Sequence, residues 1–324
     1  MSTVLEIDHL TVSFDTPDGA VQAVNDVSLL VEKGECVGLV GESGSGKSQT
    51  FMAAMGLLAD NATVSGAIHF EGSNLLTANE KELNKLRGER IAMIFQDPMT
   101  SLTPHMKIGR QLAEVLIEHR GVGKAEARKQ ARAMLERVHF PEAERRLDMY
   151  PHELSGGLRQ RVMIAMALMC EPAMLIADEP TTALDVTVQA QILDLLMEIK
   201  DSLGTAIVLI THDLGVVAGL ADRVAVMYGG RIVEKGAVAD MFESPAHPYT
   251  QGLLACTPRL DEDITALVTI PGQPPNAQSL PGGCSFHPRC TYVTERCKTE
   301  RPILETTAKY RAKACHLDAL EAAE

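Results

Sequence analysis

Three short stretches of this 324-residue chain carry residue types that act on phosphate. Gly41-Glu-Ser-Gly-Ser-Gly-Lys-Ser48 fits G-x-x-x-x-G-K-[ST] and stands directly after an apolar run and before a helical pattern. That context is what gives the motif meaning. Its glycines let successive backbone N–H groups turn toward phosphate oxygens, and the helix N-terminus adds partial positive charge. Lys47 would reach the β- and γ-phosphates, and Ser48 would ligate Mg²⁺. The ordinary alternative is a glycine turn joining strand to helix. In the second stretch, Met174-Leu-Ile-Ala-Asp178, an apolar strand carries Asp178 to its C-terminal end, where Mg²⁺ would sit. Glu179 follows, within reach of an attacking water as general base; a charged strand-end turn is the ordinary reading. The third stretch is Leu-Ser-Gly-Gly-Leu-Arg-Gln-Arg, residues 154–161. Ser155 precedes Gly156 and Gly157 and then a helix, which makes another helix N-terminus with unsatisfied N–H groups suited to a γ-phosphate. A simple capped helix start is its alternative.

Several elements must hold these groups in place. Val12–Phe14 and Val27–Val31 alternate like half-buried strands. Cys36–Val40, Ile91–Phe95, Met174–Ala177, Ala206–Ile210 and Val224–Tyr228 are nearly continuous apolar runs, as expected of parallel strands covered on both faces. Helical patterns occupy Ser48–Leu58, Ile108–His119, Lys124–Val138, Gly157–Met169 and Val188–Leu203. Strands alternating with helices predict an α/β sheet with helices on its faces. The block from about 97 to 170 is almost wholly helical and reads as an inserted subdomain. After about residue 245 Pro and Gly cluster, at P-G-Q-P-P (271–275) and P-G-G-C (281–284), which predicts a loop-rich C-terminal extension.

Composition narrows the functional classes. The net charge is −13, Trp is absent and aromatics make up 4%. A general nucleic-acid binder needs a basic footprint and stacking platforms, so that class is disfavoured. The N-terminus lacks the basic-then-apolar pattern of a signal peptide. The longest apolar run, Val162–Cys170, is far short of the roughly 20 residues of a spanning helix. The expectation is a soluble, cytoplasmic chain that meets a membrane only through a partner. Cys36 and Cys170 lie in apolar runs and read as core thiols. Cys284, Cys290, Cys297 and Cys315 crowd the end of the chain with spacings x₅, x₆ and x₁₇. In a cytoplasmic, loop-rich segment such cysteines point to metal rather than disulfides. Four thiolates suit an iron–sulfur cluster or zinc, although the spacings are wider than the C-x₂-C pairs of ordinary zinc sites. Unligated thiols are the third reading. His287 and His316 flank them as substitute ligands.

With the motifs in this order, the chain resembles the ATP-binding subunits of ATP-binding-cassette (ABC) transporters from about residue 4 to 250. The resemblance implies a phosphate-loop NTPase fold with a RecA-like core sheet, an N-terminal antiparallel β part and an inserted helical subdomain. Residues 1–250 would form the nucleotide-binding domain and 251–324 the C-terminal extension. It implies that ATP is held by Gly41, Ser43, Gly44, Ser45, Gly46, Lys47, Ser48 and Gln49. Phe14 resembles the aromatic on which adenine stacks, with Val12 or a neighbouring loop residue as competitors. Gln96 resembles the glutamine that links Mg²⁺ and the attacking water to the membrane subunits, so Mg²⁺ would lie on Ser48, Gln96 and Asp178. His212 resembles the histidine at the γ-phosphate, and Lys47, Gln96, Glu179 and His212 form the catalytic set. Ser155, Gly156 and Gly157 match the signature that completes the ATP site of an opposite subunit, and Asp185 the loop that crosses the dimer interface. Singly, Phe14 reads as core, Gln96 and His212 as polar strand ends, and Asp185 as a helix cap.

The strings F-Q-D-P-M-T-S-L-T-P (95–104), Y-P-H-E-L-S-G-G (150–157), I-A-D-E-P-T-T-A-L-D-V-T-V-Q-A-Q (176–191) and H-P-Y-T-Q-G-L-L (247–254) narrow the resemblance to the dipeptide, oligopeptide and nickel importer ATPases. It then covers nearly the whole chain. It implies an ATP-hydrolysing subunit at the cytoplasmic face of the inner membrane that powers import of di- or oligopeptides. Its partners would be a second ATPase chain, two transmembrane permeases and an extracytoplasmic binding protein, without nucleic acid. Related subunits hold a [4Fe–4S] cluster, which the four C-terminal cysteines would carry here, with zinc as the alternative. Nickel or another small solute is the alternative cargo. A soluble ABC ATPase outside transport is the alternative class, disfavoured by the single phosphate loop and the lack of a sustained heptad pattern.

Overall fold

The computed structural model describes residues 2–97, 101–182, 184–256, 269–308 and 310–318. The chain divides into two compact units. The first comprises Met1–Val4, Val31–Glu35 and Thr77–Val208; the second comprises Leu5–Leu30, Cys36–Leu76 and Leu209–Glu324.

In the first unit the strands Ile91–Ile94 and Met174–Asp178 pair in parallel, with Ile91 opposite Met174 and Ile94 opposite Ala177. Met174, Leu175, Ile176 and Ala177 are completely buried, as a strand covered on both faces requires. Four helices, Ile108–Arg120, Lys124–Arg137, Ala143–Arg146 and Gly156–Leu168, follow one another in the region read as helical. The first ends at Gly121, which takes the left-handed conformation common at helix C-termini. Arg161, in the last, donates through Nη1 to the carbonyl of Val138 at 2.7 Å, a tie between helices. The long helix Val186–Leu203 is capped by Asp185 and stopped at Gly204.

In the second unit an antiparallel sheet runs in the order Gly19–Glu32, Thr3–Thr16, Ala62–Phe70, Ser73–Asn74. Its buried positions include Leu5, Ile7, Ile68 and Phe70, and Leu5 lies opposite Phe70, Ile7 opposite Ile68. A parallel pair, Cys36–Val40 with Arg223–Tyr228, leads into the phosphate loop. Arg231–Ala237, Arg311–Lys313 and Glu305–Ala308 extend it antiparallel, one after the next. The C-terminal segment is loop-rich, yet it is also stitched into this sheet by its two strands. Phe286 supplies core as well, packing edge-on to Tyr228 at 5.1 Å and against Tyr249 at 5.4 Å. Burial of an aromatic of this size contributes roughly 1.5–3 kcal/mol. Among the described residues no helix is long and apolar enough to cross a membrane.

This core contains a titratable group that predicts acid lability. His247 is buried; its Nδ1 accepts from the Tyr249 N–H at 3.1 Å, and its backbone N–H donates to Glu234 Oε2 at 2.9 Å. Burial, assisted by Lys313, pulls its pKa from 6.5 down to about 3. The unfolded chain therefore binds a proton that the folded chain excludes, and stability present above about pH 6.5 is lost as the pH falls toward 3. The slope approaches about 1.4 kcal/mol per pH unit inside that window. Glu234 shifts the opposite way, raised mainly by burial, so it opposes part of this loss. Denaturant midpoints at pH 7 and pH 5 should fall further apart in the parent chain than in His247→Asn. Equal losses in the two proteins would contradict this reading.

Candidate functional site

The phosphate loop lies in the second unit, between the strand Cys36–Val40 and the helix Lys47–Ala54. The loop closes on itself: the Ser45 N–H donates to the Glu42 carbonyl at 3.2 Å, and the Gly230 N–H reaches the Ser45 carbonyl at 3.1 Å. Gly46 takes φ +99°, and a Cβ there would stand 2.2 Å from the carbonyl oxygen of Ala23, a fixed backbone atom. No other residue fits this position. Lys47 is buried (5% exposed), and its ammonium donates to the carbonyls of Gly41 and Glu42 at 2.7 and 3.0 Å and to Ser45 Oγ at 3.5 Å. Ser48 and Gln49 are half-buried on the helix, while Ser43 and Gly44 are exposed. A compact cation on a turn of backbone N–H groups at a helix start is suited to a polyphosphate.

Other candidates in this unit stand as follows. Phe14 is half-buried on its strand opposite Ala62. Val12 is wholly buried and offers no stacking face. His212 is exposed just beyond the strand Ala206–Thr211, and Asp213 caps the short helix that follows, accepting from the Gly215 N–H at 2.7 Å.

In the first unit Asp178 ends its strand and is buried (8% exposed). Glu179 is half-buried, with φ +45°. A non-glycine residue there holds backbone strain of a kind found at functional sites. Its Oε2 accepts from Gln96 Nε2 at 2.9 Å and from the Thr182 hydroxyl at 2.8 Å. Two residues singled out from sequence, Gln96 and Glu179, are thus joined directly, and both donors orient a carboxylate suited to taking a proton from water. Ser155 opens the helix Gly156–Leu168, yet its side chain makes no cap hydrogen bond. The capped-start reading therefore does not account for the serine. Ser155 and Gly156 are exposed and Gly157 is half-buried. Asp185 does what its ordinary reading says: its Oδ1 accepts from the Val188 N–H at 2.9 Å.

Cys284, Cys290, Cys297 and Cys315 line one small cavity together with His247, His287 and His316. Burial pushes the Cys284 thiol up to about 11, with its three cysteine neighbours adding to the shift, and also raises Cys290 and Cys315. His287 Nδ1 is engaged by the Cys284 carbonyl at 3.0 Å, and His316 Nε2 by the Glu300 carbonyl at 3.0 Å. Among the described residues no three His, Cys, Asp or Glu side chains form a group that could hold a single metal ion.

Residues 24–182 match the family model described as ABC transporter, and residues 233–297 the one described as oligopeptide/dipeptide transporter, C-terminal region. The oligopeptide transport ATP-binding protein OppD of Salmonella typhimurium is 57% identical over 97% of this chain and 93% of its own length. This chain belongs to the ABC transporter ATP-binding family. A second relative, the oligopeptide transport ATP-binding protein AppD of Bacillus subtilis, is 48% identical over 100% of this chain and 99% of its own. Among solved structures, the ATP-binding cassette MJ0796, a dimer in a post-hydrolysis state bound to ADP and Pi, superposes with a TM-score of 0.65 at 29% identity. The match covers 72% of this chain and 98% of that one. The fold of this ABC chain is therefore the phosphate-loop cassette that its motifs imply, and it is an ATPase of that class.

Four residues of the site escaped sequence reasoning: Glu42, Tyr249, Arg289 and Thr182. The first occupies a position that the loop motif leaves open. Tyr249 and Arg289 are remote from the phosphate loop in sequence, and no local pattern marks either. Thr182 sits in a motif that was read for its aspartate.

Proposed function

We propose that this chain is one ATPase of an importer that moves oligopeptides across the cytoplasmic membrane, working from the cytoplasmic face. The observation that carries the cargo is the match of its C-terminal region, supported by the relatives named for oligopeptide transport. Residues 1–250 serve as the nucleotide-binding domain, with the helical block at about 97–170 inside it, and 251–324 as the extension. Lys47 with the loop N–H groups holds the phosphates, Ser48, Gln96 and Asp178 hold Mg²⁺, and Phe14 stacks on adenine. Glu179 removes the proton from the attacking water and His212 meets the γ-phosphate. Ser155, Gly156, Gly157 and Asp185 act on the ATP of a second ATPase chain, and two permeases and an external binding protein complete the assembly. The uncommitted Ser155 hydroxyl supports its part in this scheme. Peptide-loaded binding protein should stimulate ATP hydrolysis by the co-purified complex severalfold. Stimulation by nickel and not by peptide would overturn the cargo.

We also propose that the four cysteines hold a [4Fe–4S] cluster rather than zinc. A zinc ion at about 2.3 Å from each sulfur needs thiolates roughly 3.8 Å apart. The thiols instead surround a cavity with no trio suited to one ion, which supports ligands at the corners of a larger group. Burial raises the proton affinity of Cys284, Cys290 and Cys315, so a bound cationic centre would supply the charge that ionises them. The cluster ties the loops between Cys284 and Cys315 together. Protein purified without oxygen should be brown, with iron and acid-labile sulfide in equal amounts, and Cys290→Ser should lose both. One bound zinc and no colour would contradict the cluster.

A further inference from the structure

The second residue of the phosphate loop is held at three places at once. The Glu42 N–H donates to the Tyr249 hydroxyl at 2.9 Å. Its carbonyl accepts from the Lys47 ammonium. Its carboxylate receives both arms of Arg289, Nη1 to Oε2 at 2.7 Å and Nη2 to Oε1 at 3.0 Å. The Arg289 side chain is only 4% exposed, and planar, bidentate pairing of this kind fixes direction as well as distance. The arginine is itself held from behind. Nε donates to the Pro271 carbonyl at 2.9 Å and Nη2 to that of Ile270 at 3.3 Å, and the guanidinium lies over the Tyr228 ring at 5.8 Å. Its stem passes Gly272, where a Cβ would stand 3.2 Å from Arg289 Cγ and φ is +78°. The P-G turn at 271–272, which phosphate chemistry alone leaves without a purpose, is thus the seat of this arginine.

We propose that Arg289 is a positioning residue for nucleotide binding: by gripping the Glu42 carboxylate it holds the first turn of the phosphate loop in its binding shape, so that the affinity of this chain for ATP depends on its cysteine-rich C-terminal region. The loop motif leaves position 42 open, and most residue types there would make no such contact. With the grip lost, Glu42 is held only by the Tyr249 hydroxyl and the Lys47 ammonium, so its carbonyl is placed less firmly and the ammonium relies more on Gly41 and Ser45. Arg289 touches no reacting atom and acts through Glu42 alone. The inference rests on the ATP-site reading above.

The test is the Kd of the full-length chain for Mg-ATP, with parent, Lys47→Ala, Glu42→Gln, Arg289→Met and the Glu42→Gln/Arg289→Met pair, and KM and kcat of the assembled complex. Truncating one partner of a buried charge pair is costly, so each single variant should raise Kd about tenfold. The double variant should be no worse than the poorer single, because the two act as one unit. Arg289→Lys, which keeps charge without the fork, should lie between. In the assembled complex KM for ATP should rise while kcat at saturation is retained, a split that mere loss of folded protein does not produce. Should Arg289→Met fail to fold, Glu42→Gln, which is isosteric, carries the test. A Kd for Glu42→Gln equal to that of the parent, or fully multiplicative effects in the double variant, would overturn the proposal. Failure of the parent chain to bind Mg-ATP, or binding undiminished in Lys47→Ala, would instead overturn the ATP-site reading beneath it.

Discussion

Glu179→Gln is expected to lower ATP turnover by about 10²- to 10⁴-fold while leaving nucleotide binding in place. Glutamine has the size of glutamate and can still accept from Gln96 and Thr182, which donate to Glu179 Oε2 at 2.9 and 2.8 Å. It cannot take a proton from water. The backbone at this position already holds a left-handed conformation that a β-carbon disfavours, and the substitution does not relieve it. What changes is therefore the proton acceptor alone. Single-turnover hydrolysis by the assembled complex, set beside a nucleotide titration, separates the two quantities. Turnover within a few fold of the parent would place the base elsewhere.

Lys47→Ala should weaken Mg-ATP binding by about 100-fold, because charge-assisted hydrogen bonds contribute about 1.5–3 kcal/mol each. The loss has a second source in the loop itself. The ammonium gathers the carbonyls of Gly41 and Glu42 and the Ser45 hydroxyl around one buried point. Without it, neighbouring carbonyls are left with less reason to stay inside the turn. Lys47→Arg should not restore affinity: a planar fork does not fit where a compact charge is enclosed. A titration with a fluorescent ATP analogue checks both variants. A Kd for Lys47→Ala within threefold of the parent would refute the role given to this lysine.

Phosphate chemistry explains why so much of this site could be read from sequence. Gly46 and Lys47 must occur in that order after a strand because a turn with positive φ, a helix start and a cation are needed within one loop. Asp178 and Glu179 must end an apolar strand for the same reason. The strands Cys36–Val40 and Met174–Asp178 were legible because burial on both faces demands unbroken apolar runs. Elements with weaker periodicity were not. The strand Ala62–Phe70 is largely exposed in its first half and carries Gly66, which blurs its alternation. The helix Glu80–Leu86 buries only Leu83 and is organised by the reciprocal bonds of Asn79 and Glu82. The C-terminal segment looked like loops because its two strands are only 4 and 3 residues long and its other contributions come from single residues: Phe286 to an aromatic core, Arg289 to Glu42. A pair separated by 247 positions leaves no local pattern to read. The cysteines were legible as a set, but which group they hold depends on their spacing in three dimensions.

ATP hydrolysis on this chain is expected to drive peptide across a membrane. Uptake of a labelled oligopeptide into proteoliposomes bearing the assembled complex, with the binding protein outside and ATP at the cytoplasmic face, tests it most directly. Accumulation above the external concentration is predicted only with ATP, and it should vanish when this chain carries Glu179→Gln. Uptake that proceeds without ATP, or that is unchanged by the substitution, would contradict this role.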